Sequence, residues 1–214
     1  MLFGADIGAK IWGSMTYRVA IVLLAAGASR RMRGRDKLLE QIDGKPLLRR
    51  VADVAWRSTA SEIVIVLGAM AEARFAVLES LPFRIARNPE WESGMASSIR
   101  SGVNALDPGV DAALIMLSDM PDIGAALVDG MIDAFDPDRG IDIVRPVSAS
   151  GPTGNPVLFG RRHFAALSAL AGDTGAKSVI ATNPNSVFDY PASDDSILVD
   201  LDTPEAWADW KSKQ

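Results

Sequence analysis

A chain of 214 residues with 22 Lys and Arg against 27 Asp and Glu carries a formal charge of −5, and 48% of it is apolar. That length suits one α/β domain with a continuous core, and the composition excludes a disordered or collagen-like chain. A net acidic surface offers no global field for nucleic acid, so any polyanion must bind at a local basic site. The absence of Cys excludes disulfides, thiolate metal sites and a Cys nucleophile. A single His, His163, excludes a His-cluster metal centre and argues against a Ser-His-Asp triad.

Residues 1–17 have weak periodicity and read as an N-terminal extension, with Met15 an equally good start, ahead of one domain over residues 18–214. Lys10, Arg18 and the apolar run from Val19 to Ala28 imitate a secretory signal. That run falls well short of the ~20 residues a spanning helix needs. Five basic residues follow it at once, namely Arg30, Arg31, Arg33, Arg35 and Lys37, and they would resist translocation. A cytoplasmic location without membrane association is expected.

In chain order, Val19 to Leu24 reads as a buried strand and Pro46 to Ser58 as a helix with Pro in its first turn. Glu62 to Leu67 is strand-like, Ala71 to Leu81 helical, and Pro82 to Ala86 a weak strand. Ser97 to Leu106 is a helix, Ala112 to Leu117 a buried strand, Ile123 to Phe135 a helix and Ile141 to Pro146 a strand. This alternation implies right-handed crossovers and a three-layered α/β fold with a mostly parallel, Rossmann-like sheet. Ligands of such sheets bind beyond the carboxyl ends of the strands. The segments that matter are therefore Ala25 to Lys37, then Gly68 and Ala69, then Ser118 to Pro121.

The first of these loops puts two Gly and five basic residues into an acidic protein. Gly27 and its small neighbours let backbone N–H groups approach an anion, and Arg31 and Lys37 add charge where a triphosphate would lie. The spacing fits neither Walker A nor GxGxxG, and a solvated charge run is the rival reading. Asp119, directly after a buried strand, is positioned to hold Mg²⁺ against phosphates. Its rival role is a helix N-cap, for which Asp122 is better placed. Asp200 and Asp202 share one face of an extended segment, yet Thr203 and Pro204 beside them read as an N-cap and first helical residue. Gly94 to Ile99 opens a helix with small and hydroxyl residues, which any good helix start would also do. Gly151 to Pro156 reads as a turn, and Gly172 to Lys177 as a loop entering a helix. His163, Trp56, Trp91 and Trp207 read as packing residues.

Taken together, LLAAGASRRM…DKLL, EWESGMASSI, LSDMP, GPTGNPVLF, GDTGAK and VDLDTPEAW resemble, in order, the MobA-like nucleotidyltransferases. The pattern is most similar to the molybdenum cofactor cytidylyltransferases and covers Arg18 to about Lys211. The resemblance implies a Mg²⁺-dependent enzyme, with Mn²⁺ as a substitute ion. It would move CMP from CTP to a molybdopterin-type phosphate with release of pyrophosphate. Leu24-Ala25-Ala26-Gly27 leans towards CTP, since relatives using GTP tend to read Leu-Ala-Gly-Gly. Ala25, Ala26, Gly27 and Ser29 would line the nucleotide, with Arg31 and Lys37 on its phosphates. Gly94, Met95, Ser97 and Ser98 would complete the nucleotide or pterin pocket. Gly68 joins the binding set by its position after the second strand. Asp119 would bind the metal, with Asp202 as a second ligand. The partner implied for delivery is a molybdenum hydroxylase or its maturation chaperone. Three departures stand out: Arg33 where Gly is commoner, Asn155 for His, and Lys177 for Arg. Two alternatives remain open. One is transfer to another phosphorylated acceptor, such as a sugar or isoprenoid-precursor phosphate, and the other is a non-catalytic nucleotide- or cofactor-binding delivery module.

Overall fold

A computed structural model describes residues 17–79, 81–173 and 175–213, so all but the last residue of the expected extension lies outside the described residues. A seven-stranded sheet organises the chain. Its elements follow as β1 (Val19–Ala25), a two-residue hairpin β2 (Gln41–Ile42) and β3 (Lys45–Pro46), α1 (Leu47–Arg57), β4 (Glu62–Leu67), α2 (Ala71–Ala76), β5 (Arg84–Arg87) and α3 (Met95–Asn104). Then come β6 (Ala112–Leu117), α4 (Ala125–Asp133), β7 (Ile143–Val147), β8 (Val157–Gly160), α5 (Phe164–Ser168), α6 (Lys177–Ala181), β9 (Val187–Pro191) and α7 (Pro204–Lys211).

The strand order is β5-β4-β1-β6-β8-β7-β9. Strands β5, β4, β1 and β6 run parallel, whereas β8 is antiparallel to both β6 and β7, and β9 returns parallel to β7. Alternation along β1 sends Ile21, Leu23 and Ala25 to one face and Val22 and Leu24 to the other. The first face packs on Leu48 and Val51 of α1, Val128 and Met131 of α4, and Trp207 and Trp210 of α7. The second packs on Ile99 of α3, Leu167 of α5 and Val179 of α6. Three layers result, as the alternating pattern implies.

The chain leaves β1 towards β4 and β5, then crosses back to place β6 on the other side of β1. The loops after β1 and β6 therefore diverge over one crevice, the switch point where such sheets bind ligands.

Several boundaries depart from expectation for stated reasons. Helix α3 begins at Met95 rather than Ser97, because Asp173 and Gly172, far along the chain, accept the N–H groups of Met95 and Ala96. Helix α4 is capped by Gly124 and not by Asp122, whose carboxylate is engaged by the indole N–H of Trp210 at 2.7 Å. Helix α2 stops at Ala76, well short of Leu81, ahead of a residue pair ending in Pro82. Strand β9 has no counterpart in the sequence reading. It is a half-exposed edge strand with no apolar run, so neither periodicity nor burial marks it.

Candidate active site

The crevice holds an open cavity of about 300 Å³ lined by Ala26, Gly27, Arg31, Lys37, Trp91, Gly94, Met95, Ser98, Asp119, Asp173 and Asp202 among others. Three strand ends, the loop between α5 and α6 and the chain after β9 deliver these groups. Strand β1 runs directly into the basic loop, and β6 into Ser118 and Asp119. The hydroxyl of Ser118 donates to the carbonyl of Leu24 at 2.7 Å and stitches the two strand ends together. The C-terminal segment then docks on this corner, because the N–H of Leu201 donates to the carbonyl of Asp119 at 3.0 Å. That single bond sets Asp202 beside Asp119. Thr203, as expected, caps α7 by accepting from the N–H of Ala206 at 3.1 Å, with Pro204 as first helical residue.

Lys37 lies between the two carboxylates. Its ammonium donates to Asp119 Oδ2 at 2.5 Å and also to Asp202 Oδ1. Desolvation works against the charge of Lys37, but Asp119 and Asp202 outweigh it and hold the pKa above the usual lysine value. Arg31 reaches the other oxygen of Asp202 at 2.5 Å from a side chain that is 70% exposed. Such an exposed pair is worth at most about 1 kcal/mol, so its arm can leave for a ligand at little cost. Lys37 is only 13% exposed and is the fixed cation of the site. Asp200, the other acid of the pair, stays outside the cavity lining, and its carboxyl is held above the ordinary range by desolvation and then by Asp202 and Asp119.

One oxygen of this cluster, Asp119 Oδ1, is buried without a hydrogen-bond partner. A buried acceptor left unpaired costs about 1–3 kcal/mol, which a cation ligated there would relieve. No group of three or more acidic or His side chains suited to a metal occurs among the described residues. Two carboxylates nevertheless suit Mg²⁺, which takes one or two from the protein and its remaining ligands from phosphates and water. The residues present fit such an ion.

The other expected binding residues divide into two sets. Ala26, Gly27, Gly94, Met95 and Ser98 line the cavity, whereas Ala25, Ser29, Gly68 and Ser97 do not. Gly68 provides clearance, since a Cβ there would meet Trp91 Cβ at 2.6 Å and Ala26 Cβ at 2.9 Å. Ser97 and Ser98 both accept from the amide of buried Asn88, at 2.8 and 3.1 Å, which orients the start of α3. Ser29 turns its hydroxyl into the loop towards Asp36. Trp91 does more than pack, because it forms one wall of the cavity.

Of the three departures, Arg33 has a clear conformational reading. It sits at φ 52°, ψ 47°, the left-handed region that Gly adopts freely, and its guanidinium pairs with Glu205 of α7 at 2.5 Å. Asn155 bonds to the C-terminal segment through its N–H and the carbonyl of Ile197, and Lys177 is exposed at the start of α6. Neither lines the cavity. The sequence reading missed Asn88, Asp173, Asp36 and Arg74. Asp173 carried a signal inside the Gly172 to Lys177 loop and Asp36 inside the Ala25 to Lys37 loop, whereas Asn88 and Arg74 carried none.

The MobA-like NTP transferase domain matches residues 21–187, which include the basic loop, Asp119 and the α3 start. The chain belongs to this family. It is accordingly a nucleotidyltransferase of the MobA-like kind. It is also similar to nicotine blue oxidoreductase of Paenarthrobacter nicotinovorans, 34% identical over 190 residues that span 86% of this chain and 92% of that protein. Among solved structures, Rv0371c from Mycobacterium tuberculosis H37Rv superposes with a TM-score of 0.81 at 25% identity, covering 92% of this chain and 99% of the other. A complex of Rv0371c with manganese gives a TM-score of 0.78 at 23% identity, covering 92% and 100%. No helix among the described residues is long and apolar enough to cross a membrane.

Proposed function

We propose that this MobA-like nucleotidyltransferase moves CMP from CTP onto the phosphate of a molybdopterin-type acceptor and releases pyrophosphate. The observation that carries this reading is the meeting of Lys37, Asp119 and Asp202 at the switch point, in a cavity bordered by Ala26 and Gly27. An oxygen of the acceptor phosphate attacks the α-phosphorus of CTP, and the bond from that phosphorus to the β-phosphate bridging oxygen breaks. The nucleophile is already ionised at neutral pH, so no general base is required. This agrees with the distance in fold between the cavity and His163, which opens α5 beside β8.

Lys37, held at the edge of the cavity before the nucleotide binds, stabilises charge on the α-phosphate and the departing pyrophosphate, and Arg31 joins it from its exposed position. Preorganised cations of this kind act where charge develops and need not reorganise during reaction. Asp119 and Asp202 would hold Mg²⁺, or Mn²⁺ in its place, and the bound ion would neutralise the triphosphate oxygens. Trp91, Met95 and Ser98 face the same cavity and would contact the base or the pterin. The Leu24 to Gly27 pattern favours CTP over GTP. A cytoplasmic reaction, with hand-over to a molybdenum hydroxylase or its chaperone, accords with this chemistry.

The test is pyrophosphate release from CTP and, separately, GTP, with Mg²⁺ and molybdenum-loaded molybdopterin as acceptor. Release with CTP alone, lost in Asp119→Ala, is expected. Release only with a sugar or isoprenoid-precursor phosphate would replace the acceptor. Turnover of nicotine blue without pyrophosphate release from any nucleoside triphosphate would overturn the reading.

A further inference from the structure

Arg74 on α2 is the largest of the fully buried side chains, with 0% exposure. Placing a guanidinium in a core costs several kcal/mol unless every donor is matched, and a well-packed apolar residue often serves stability as well or better. Its hydrogen bonds therefore identify what it is for. The fork faces Asp36, with Nε to Oδ2 at 2.8 Å and Nη2 to Oδ1 at 2.9 Å, the bidentate geometry of a strong charge-assisted pair. Nη1 donates to the carbonyl of Ala25 at 2.8 Å, and Nη2 also reaches Ser29 Oγ at 3.4 Å. These partners are the last residue of β1 and two side chains of the loop that runs from it to Lys37.

The loop closes on the same centre from its own side. Asp36, whose side chain is 8% exposed, accepts from Ser29 Oγ at 3.1 Å and from the N–H of Leu38 at 3.0 Å. Ser29 Oγ in turn accepts from the N–H of Lys37 at 3.2 Å. Lys37 is thus bracketed on both sides by backbone groups tied to the Asp36–Arg74 pair. The loop needs such ties, because Ser29 at φ 53° and Arg33 at φ 52° are non-Gly residues in left-handed conformations, which persist only where surroundings over-determine them. Neither Arg74 nor Asp36 lines the cavity.

We infer that Arg74 and Asp36 are positioning residues that hold the basic loop in the shape that aims Lys37 into the cavity. The consequence for turnover rests on the nucleotidyl-transfer reading, but the loop's order does not. The experiment compares wild type, Arg74→Met, Arg74→Lys and Ser29→Ala by two readouts. The first is limited trypsin digestion of the native proteins, with cleavage after Arg30, Arg31, Arg33, Arg35 and Lys37 mapped by mass spectrometry. The second is steady-state pyrophosphate release from CTP.

Arg74→Met is expected to speed cleavage within the loop and lower kcat by about 10- to 100-fold, the effect of misplacing a catalytic group by roughly an ångström, with KM for CTP nearly unchanged. Arg74→Lys should recover part of kcat, since it keeps the charge without the fork. Ser29→Ala removes the three bonds of the hydroxyl and leaves the bidentate Arg74–Asp36 pair in place. It should remain folded yet shift both readouts in the same direction, and it decides the matter if Arg74→Met fails to fold. Wild-type loop cleavage and kcat in Ser29→Ala, or in a folded Arg74→Met, would overturn the inference. If the wild type releases no pyrophosphate, the functional reading falls while the trypsin readout still tests the positioning role.

Discussion

The parallel half of the sheet, β5-β4-β1-β6, and the mixed half, β8-β7-β9, each set buried apolar strands beside a partly exposed edge strand and contribute very differently to the site. Apart from Asp173 and Asp202, the described residues that line the cavity lie at the carboxyl ends of β1 and β6 or follow β1, β5 or β6. Parallel strands end on the same edge of the sheet, so their outgoing loops converge there. The antiparallel β8 sends its outgoing chain to the opposite edge, and the mixed half mainly extends and covers the core. The cavity lining is thus concentrated where strand directions agree, and the other half reaches it through segments that travel back. Asp202 does so by docking against Asp119, and Asp173 by capping α3.

Substitutions can break this contrast, beginning with the largest effect. Lys37→Ala should slow pyrophosphate release by roughly 10²–10³-fold, the loss typical of removing one preorganised charge-stabilising group, and Asp119→Ala by at least as much. Steady-state kinetics on folded protein, checked by melting temperature, measures both. In the same half, Gly68→Ala should destabilise the fold by about 1–3 kcal/mol, because a new methyl group must displace Trp91 or Ala26. Urea unfolding gives that value, and a neutral result would mean that the wall of the cavity yields easily.

The mixed half should respond to pH rather than to substrate. His163 is buried against Phe159 and accepts from Arg162 Nε, and burial, then the charge of Arg162, hold its pKa below the ordinary histidine value. The unfolded chain therefore binds this proton first. Stability should be intact above about pH 6.5 and fall as the pH drops from there through the lower folded value. In His163→Leu that part of the acid loss should disappear, which a comparison of unfolding free energies at pH 7 and pH 5 would reveal, with kcat unaltered. The smallest effect is expected for Asp189→Ala, which removes the exposed pair between β7 and β9. Stability should change by less than about 1 kcal/mol and turnover not at all.

The legible features were those written within a few residues of one another. The apolar runs of β1, β4 and β6 announced buried strands, and Ala112–Leu117 matched its expected bounds. The turn after β1 with its basic residues marked a loop that lines the cavity, and Thr203-Pro204 announced a helix start. Asp122 misled because a good capping residue is also a good hydrogen-bond acceptor, and the indole of Trp210 claims it. Arg74 was invisible for a similar reason. An arginine on a short helix reads as solvent-facing until the strand order brings a carboxylate beneath it.

The sequence by itself determined the alternation of strands and helices, the three-layered class, and the loops that line the cavity, since periodicity and turn chemistry are local. Only the tertiary structure decided that β8 inserts antiparallel, that Asp173 caps α3, that Arg74 braces Asp36 from 38 residues away and that Asp202 meets Lys37 across 165. Such contacts depend on which surfaces a whole fold brings together. Their cost, burying charge, is offset only once both partners are in place.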